Sequence, residues 1–222
     1  MISNRHNWID LASPFEDGCP HFELVTSLQY AKGYRKDIKE AGETFGLING
    51  CFDILHTGHM WLLNRAAMCC DHLWVAANSD ASIAALKPGR PVLRSIDRVY
   101  SLLSLKAVKG VVLYGERVCS RILRELEPDV VIKSEEYREV TEANIARFVN
   151  YSDHYQNNFL KEPLPIYDDS QYSIANGRQE ELYTEHEHYT IAALGCDVAY
   201  VDMIPGHSTT SLISKIRLLE ND

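Results

Sequence analysis

Two histidines with a glycine between them lie where an apolar segment gives way to a helical pattern. The apolar residues 45–48 lead into Asn49-Gly-Cys-Phe-Asp-Ile-Leu-His-Thr-Gly-His59, and apolar residues then recur at helical spacing over residues 58–70. A helix N-terminus presents free N–H groups and a positive partial charge, which favour a bound phosphate. Imidazoles placed there donate hydrogen bonds to a phosphate whose charge grows during nucleophilic attack. The spacing of His56 and His59 therefore predicts phosphate chemistry.

Zinc binding and a plain structural role are the alternatives for this pair. Zinc takes at least three protein ligands, and the sequence offers no further ligand close to two histidines three residues apart. The cysteines show no C-x-x-C spacing, so we expect reduced and mostly buried thiols, with a structural zinc site as the alternative. The six cysteines are Cys19, Cys51, Cys69, Cys70, Cys119 and Cys196.

The charge distribution favours a small polyanionic ligand over a nucleic acid. The 222 residues carry a net charge of −9, which argues against a nucleic-acid-binding surface. Residues 87–109 nevertheless contain six Lys or Arg residues and one acidic residue, a balance that suits a triphosphate. A solvated helix face is the alternative for this cluster. No apolar run is long enough to cross a membrane, and residues 1–10 lack the apolar block of a signal peptide, so we expect a cytoplasmic location.

Short apolar segments alternate with helical patterns along most of the chain. Residues 73–77, 111–114, 130–132 and 198–201 are predicted strands, and a helix capped by Ser95 is predicted between the first two. Fully apolar strands separated by helices are typical of a parallel sheet covered on both faces. We therefore predict an α/β fold with a Rossmann-like, doubly wound parallel sheet. Ligands of such folds bind at the carboxyl ends of the strands.

Two stretches interrupt this alternation. Residues 1–42 form a predicted N-terminal extension, in which residues 32–40 are compatible with a helix, and residues 43–222 form the main domain. Residues 151–178 are polar, contain two prolines and show no periodicity, so they are predicted to be an irregular insertion. A helix over about residues 179–194 is predicted to follow. A metal-binding pair is the alternative for its His186-Glu-His188 segment, but residues two apart on a helix do not face each other. We therefore interpret this segment as a solvated surface.

The segment ending at His59 resembles the H-x-G-H signature of the cytidylyltransferase-like nucleotidyltransferases, and it looks closest to the nucleotidyltransferase domain of the ADP-heptose synthases. The resemblance covers about residues 43–140 and 190–218. It continues through Ala77-Asn-Ser-Asp-Ala81, Gly89-Arg-Pro91, Arg94-Ser-Ile-Asp-Arg98, Pro128-Asp-Val-Val-Ile-Lys133 and Gly206-His-Ser-Thr-Thr210. It implies the same fold class as the strand pattern.

The resemblance also implies a role for individual residues. His56 and His59 would stabilise the α-phosphate in the transition state, and Asp53 and Lys133 would contact the acceptor. Mg²⁺ would accompany the nucleoside triphosphate, with no protein-bound metal. The remaining nucleotide-binding positions are Cys51, Phe52, Lys87, Arg94, Arg98, Ser208, Thr209 and Thr210. Hydroxyls at the start of the last predicted helix suit phosphate independently of the resemblance, although a plain helix cap is the alternative.

The implied reaction transfers a nucleoside monophosphate from ATP, or CTP, to a phosphorylated sugar and releases pyrophosphate. One alternative is a cytidylyltransferase acting on glycerol phosphate or an amino-alcohol phosphate. Another is a nucleotide-binding regulatory protein without turnover, because Lys133-Ser-Glu-Glu-Tyr137 replaces the family's K-G-G-D-Y. Met203 and Ile204 replace the R-T pair of many cytidylyltransferases, which favours ATP. Family members often dimerise, so a homodimer is expected.

Overall fold

The computed structural model describes residues 26–161 and 178–219. Its centre is a parallel sheet with the strand order β3-β2-β1-β4-β5, which confirms the predicted doubly wound α/β, Rossmann-like fold. The strands are β1 (Phe45–Gly50), β2 (His72–Asn78), β3 (Gly110–Tyr114), β4 (Val130–Ser134) and β5 (Asp197–Val201). The helices are α1 (Leu28–Ala41), α2 (Thr57–Ala66), α3 (Asp80–Leu86), α4 (Ser95–Leu103), α5 (Ser120–Leu126), α6 (Arg138–Val149), α7 (Asp153–Phe159), α8 (Arg178–Leu194) and α9 (Thr209–Leu219).

Helices cover both faces of this sheet, and the strands alternate their side chains between two cores. Ile48 and Val75 pack with α2 and α4 on one face. Leu47 and Trp74, each next in sequence to one of those residues, pack with α1, α5 and α8 on the other face. Burial on both faces explains the unbroken apolar run of residues 73–77 in β2. No helix in the described residues is long and apolar enough to cross a membrane.

Helix α1 is part of the packed structure although it lies within the predicted extension. Ser27 caps it through a hydrogen bond from the amide of Tyr30, 3.1 Å away. Its Ala31 and Ile38 side chains are buried in the same core as β1 and β2. The guanidinium of the buried Arg35 donates to three acceptors at the end of α5 and the start of β4: Leu126 O, Glu127 O and Asp129 Oδ1. The sheet therefore has α1 as one of its covering helices.

Two local predictions need correction. Ser95 is the first residue of α4 rather than its cap, because Arg94 occupies the N-cap position. Residues 151–178 were expected to be irregular, but α7 lies within them and its Phe159 packs against Phe148 and Tyr189. Residues 162–177 lie outside the described part of the chain.

The described cysteines are all free thiols, and their burial varies. Cys119 is buried and Cys69 is exposed, while Cys51, Cys70 and Cys196 are half-buried. Cys19 lies outside the described residues. Within residues 26–161 and 178–219, no three His, Cys, Asp or Glu side chains form a group suited to a metal ion.

Candidate active site

A cleft of about 590 Å³ lies at the carboxyl ends of the strands, where β1 has β2 on one side and β4 on the other. This is the point at which the order of the parallel strands reverses, the usual ligand site of doubly wound folds. The first strand-to-helix connection, residues 49–59, forms its floor. Its walls come from the end of α3, the end of β4, α8 and the loop before α9.

His56 and His59 face each other in this cleft. Their ring centroids are 4.0 Å apart and their planes differ by 30°. His56 is the N-cap of α2, and its Nδ1 accepts a hydrogen bond from the amide of Gly58, 3.1 Å away. The Phe52 ring lies 5.4 Å from that of His59, on a backbone that takes a positive φ of 45°. A bent loop thus holds both imidazoles at the start of a helix.

Each of these rings has a buried nitrogen with no hydrogen-bond partner in the described residues: His56 Nε2 and His59 Nδ1. Burial lowers the pKa of His56 below its usual 6.5, and the nearby His207 ring lowers it further. Burial and then the His56 ring lower the pKa of His59 to about 4. Both rings are therefore neutral near pH 7. Because Nδ1 of His56 accepts a hydrogen bond, its single proton is assigned to Nε2, which makes the unpaired nitrogen a donor.

The loop before α9 closes the same side of the cleft. A Cβ atom added to Gly58 would lie 2.9 Å from the carbonyl oxygen of His207 and 2.9 Å from His56 Cε1, so only glycine allows this approach. Ser208 and Ser211 exchange two hydrogen bonds, from the amide of each to the hydroxyl of the other, at 3.2 and 3.1 Å. Ser208 therefore also acts as a helix cap, and Thr209 and Thr210 line the cleft beside it.

Asp53 lines the cleft, but both of its carboxylate oxygens are engaged by the chain itself. Oδ1 accepts from the amides of Val92 and Leu93 at 2.8 and 2.9 Å, and Oδ2 accepts from Arg90 at 2.6 Å. The carboxylate is buried, so these bonds fix the loop between α3 and α4 against the β1–α2 connection. Arg90 also lines the cleft, although it was not among the site residues predicted from the sequence.

The cations of residues 87–98 do not act as one group. Lys87 lines the cleft and lies near enough to His59 to disfavour its protonated form. Arg98 is fully buried, and its guanidinium donates to the carbonyls of Cys51, Asn78 and Leu93 and to Asp80. Arg94 pairs with Asp97 across an exposed turn of α4. The structure thus brings Lys87 to the cleft, whereas neither Arg94 nor Arg98 is among the residues that line it.

The opposite wall of the cleft contains a buried ion pair. The Lys133 ammonium, at the end of β4, donates to Glu187 of α8 and to Asn49 Oδ1, the latter at 3.2 Å. Glu187 also accepts from the amide of Cys119 at 2.9 Å. Burial alone would raise the pKa of this carboxyl, but Lys133 and that amide outweigh burial, so its pKa lies below the usual value.

The solvated-surface interpretation of His186-Glu-His188 is therefore wrong. Glu187 and His188 are buried, at 7% and 2% exposure, and both line the cleft. His188 contacts Thr141 Oγ1 at 3.2 Å and Asn144 Nδ2 at 3.1 Å, both on α6. His186 contacts Ser120 on α5 instead, so the two histidines of this segment point to different elements.

A comparison with known proteins decides the family. The family model described as cytidylyltransferase-like matches residues 47–194, more than half of the chain. The chain belongs to the cytidylyltransferase-like family. The matched residues run from β1 to the end of α8 and contain both His56 and His59 as well as the Lys133–Glu187 pair. The domain is therefore that of a nucleotidyltransferase.

The curated relatives of this cytidylyltransferase-like domain are considerably longer proteins. The bifunctional protein HldE of Granulibacter bethesdensis is 33% identical over 194 residues, which cover 87% of this chain and 31% of the relative. HldE of Gluconacetobacter diazotrophicus is 44% identical over 112 residues, covering 49% of this chain and 23% of the relative. Thermotoga maritima TmcAL, solved with alpha-thio ATP bound, superposes with a TM-score of 0.52 at 14% identity. That match covers 79% of this chain and 50% of the other, and it shows the fold alone.

The structure of the cytidylyltransferase-like domain brings most of the predicted site residues into one cleft. Those that line it are Cys51, Phe52, Asp53, His56, His59, Lys87, Lys133, Ser208, Thr209 and Thr210. The segment that departs from the family pattern forms a short 3-10 turn over Glu135–Tyr137 and passes directly into α6. Ser134, Glu136 and Tyr137 of this segment line the cleft next to Lys133. The roles of all these residues towards a ligand stay predictions.

Proposed function

We propose that the protein transfers a nucleoside monophosphate from ATP to a phosphorylated sugar and releases pyrophosphate. One observation carries the proposal: two neutral imidazoles, 4.0 Å apart at the N-terminus of α2, each keep a buried nitrogen without a partner in the described residues. Unsatisfied buried polar atoms cost free energy unless a ligand pairs with them. A phosphate entering the cleft would satisfy both nitrogens and also meet the positive end of the helix.

In this reaction an oxygen of the acceptor's phosphate attacks the α-phosphorus in line. The new bond joins that oxygen to the α-phosphorus, and the bond to the bridging oxygen breaks, so that pyrophosphate leaves with the electron pair. The attacking phosphate is already an anion, so no protein base has to remove a proton. His56 and His59 would act by hydrogen bonding to the α-phosphate oxygens, where charge develops in the transition state. Lys87 and the hydroxyls of residues 208–210 would bind the β- and γ-phosphates.

Mg²⁺ belongs to the proposal as part of the substrate. The Asp53 carboxylate in the cleft accepts three hydrogen bonds from its own chain, and the described residues contain no group of three His, Cys, Asp or Glu side chains suited to an ion. We expect the ion to arrive with the triphosphate, whose negative charge it partly neutralises.

The choice of substrates rests on similarity. The motifs resemble those of the ADP-heptose synthases, and the curated HldE relatives match this domain at 33–45% identity. Met203 and Ile204, in place of the arginine-threonine pair of many cytidylyltransferases, further favour ATP over CTP. A homodimer, a cytoplasmic location and the absence of nucleic-acid and membrane partners are parts of the same proposal.

The test measures pyrophosphate release for a panel of nucleoside triphosphates combined with sugar phosphates, glycerol phosphate and ethanolamine phosphate. We expect release with ATP and a sugar phosphate, and a loss of about 10²- to 10³-fold in turnover for His56→Ala and for His59→Ala. His72→Gln is the matched control, because His72 lies at the start of β2, at the other end of the sheet, where it contacts Tyr34 and Glu43.

The same panel separates the alternatives. Release with CTP and an alcohol phosphate would make the protein a cytidylyltransferase. Tight triphosphate binding without release in any combination would make it a nucleotide-binding regulatory protein. Near-normal turnover in both histidine variants would refute the assigned chemistry.

A further inference from the structure

Three consecutive polar residues of α8 are anchored on three different parts of the molecule. His186 contacts the hydroxyl of Ser120 on α5 at 2.9 Å, Glu187 points to Lys133 on β4, and His188 contacts α6. Successive residues on a helix point about 100° apart, so this arrangement requires α8 to lie between α5 and α6. The position of the Glu187 carboxylate at the cleft is therefore fixed by both of its neighbours in sequence.

The contacts of Glu187 specify how the Lys133 ammonium is oriented. An ammonium has three N–H donors, and two of them are directed to Glu187 and to Asn49 Oδ1. Asn49 Nδ2 lies 3.4 Å from both Glu187 oxygens, so each of the three side chains contacts the other two. The side chain of Lys133 is only 10% exposed, and among the described residues its third donor has no acceptor, so this donor is available to a ligand in the cleft.

The pairing also decides which ligand atom suits that donor. The positive charge of Lys133 is compensated by a carboxylate in direct contact, so a phosphate would meet a neutral pair with a repelling oxygen beside it. A hydroxyl group needs only local donors and acceptors. Next to Lys133, the hydroxyl of Ser134 is buried without a hydrogen-bond partner in the described part of the chain, and this residue lines the same wall.

We propose that Glu187 is a positioning residue, which orients Lys133 to bind a hydroxyl group of the acceptor rather than its phosphate. This proposal rests on the proposed function, in that it assigns the wall formed by Lys133 and Ser134 to the sugar end of a sugar phosphate. The acceptor's phosphate then lies towards His56 and His59, where the attack takes place.

The test measures binding by calorimetry, in the presence of a non-hydrolysable ATP analogue, with a heptose 1-phosphate and with inorganic phosphate as probes. Glu187→Gln keeps the size of the side chain and removes its charge. We expect it to weaken binding of the heptose 1-phosphate by about 10- to 100-fold, the usual range for a hydrogen bond to a charged group, and to leave inorganic phosphate unchanged. Glu185→Gln is the matched control, because Glu185 lies on the same helix and pairs with Arg147 away from the cleft.

If Lys133 instead binds phosphate, removing the competing carboxylate should strengthen binding of both probes, and that result would overturn the proposal. A heptose 1-phosphate that binds the unchanged protein no more tightly than inorganic phosphate would also overturn it. Lys133→Gln provides a second test if Glu187→Gln fails to fold. It should weaken binding of the heptose 1-phosphate but not of inorganic phosphate, and an unchanged affinity for the heptose 1-phosphate would contradict the proposal. Because binding is measured without turnover, absence of pyrophosphate release would reject the proposed function without deciding this inference.

Discussion

The imidazoles of His56 and His59 are neutral near pH 7, and binding of a triphosphate should change their protonation. The pKa of His59 is about 4, because the ring is buried and lies against His56. An anionic phosphate at the unpaired nitrogens favours the protonated ring and raises its pKa. Between pH 4 and the raised pKa, binding must therefore take up protons. Calorimetry of ATP binding near pH 6, in two buffers with different ionisation enthalpies, should show an uptake of up to about one proton.

His59→Gln provides the control for this prediction, since it keeps a hydrogen-bonding side chain that does not titrate. Proton uptake should fall in the variant while some ATP affinity remains. An apparent binding enthalpy that is the same in both buffers for the unchanged protein would contradict the prediction.

At the level of single residues, the sequence could predict which side chains line the cleft where those residues lie close together in the chain. His56 and His59 follow from their spacing and from the helix that begins between them. Glu187 was missed, because its partner Lys133 lies 54 residues away and polar residues in a helix usually face solvent. Arg98 was assigned to the triphosphate, yet its guanidinium is fully buried and donates hydrogen bonds to the chain itself. Local spacing cannot reveal such distant partners.

At the level of elements, the junction between α2 and the loop before α9 depends on the missing side chain of Gly58. In Gly58→Ala the added carbon would meet the His207 carbonyl and the His56 ring, both at 2.9 Å. The loop or the ring must then move by several tenths of an ångström. We expect kcat/KM to fall by about 10²-fold, because small displacements of positioned groups are costly, while the protein stays folded.

Gly33→Ala is the matched control for this substitution. Gly33 lies inside α1, and its added carbon would have no atom within 4 Å. Alanine is the better helix former, so this variant should be stabilised by about 0.5–1 kcal/mol and keep its activity. Thermal unfolding and turnover of the two variants are measured side by side. Unchanged kcat/KM in Gly58→Ala would show that the junction tolerates a side chain.

The strands could be predicted to within one or two residues, because burial on both faces leaves an unbroken apolar run such as Val111–Val112 with no competing pattern. The helices at the edges were harder to predict. Helix α7 is short and mostly polar, and it is stabilised through Phe159, which packs on Phe148 and Tyr189 of α6 and α8. That contact is tertiary, so no periodicity within residues 153–159 could predict it.

For the whole molecule, three half-buried or buried histidines predict how stability depends on pH. The pKa values of His59, His186 and His188 are each lowered from 6.5 to about 4, chiefly by burial. In the unfolded chain these rings bind protons below about pH 6.5, whereas in the folded protein they do so only near pH 4. The unfolded state therefore binds more protons in this window, and the free energy of unfolding must fall as the pH is lowered through it.

Carboxylates with a lowered pKa, such as Glu187, act in the same direction but only below their usual value of 4.5. The loss in the free energy of unfolding between pH 6.5 and about 4 thus comes mainly from the histidines. For His188, whose ring is enclosed by α6, the loss is on the order of 2 to 3 kcal/mol over the window, and it is smaller for the more exposed His59 and His186.

Urea unfolding at a series of pH values measures this loss in the free energy of unfolding. His188→Gln keeps a side chain that can bond to Thr141 or Asn144, so it should reduce the slope between pH 6.5 and 4 without removing it. Equal slopes in the two proteins would mean that His188 is protonated in the folded state, and its contacts with α6 would then have to accept a charged ring.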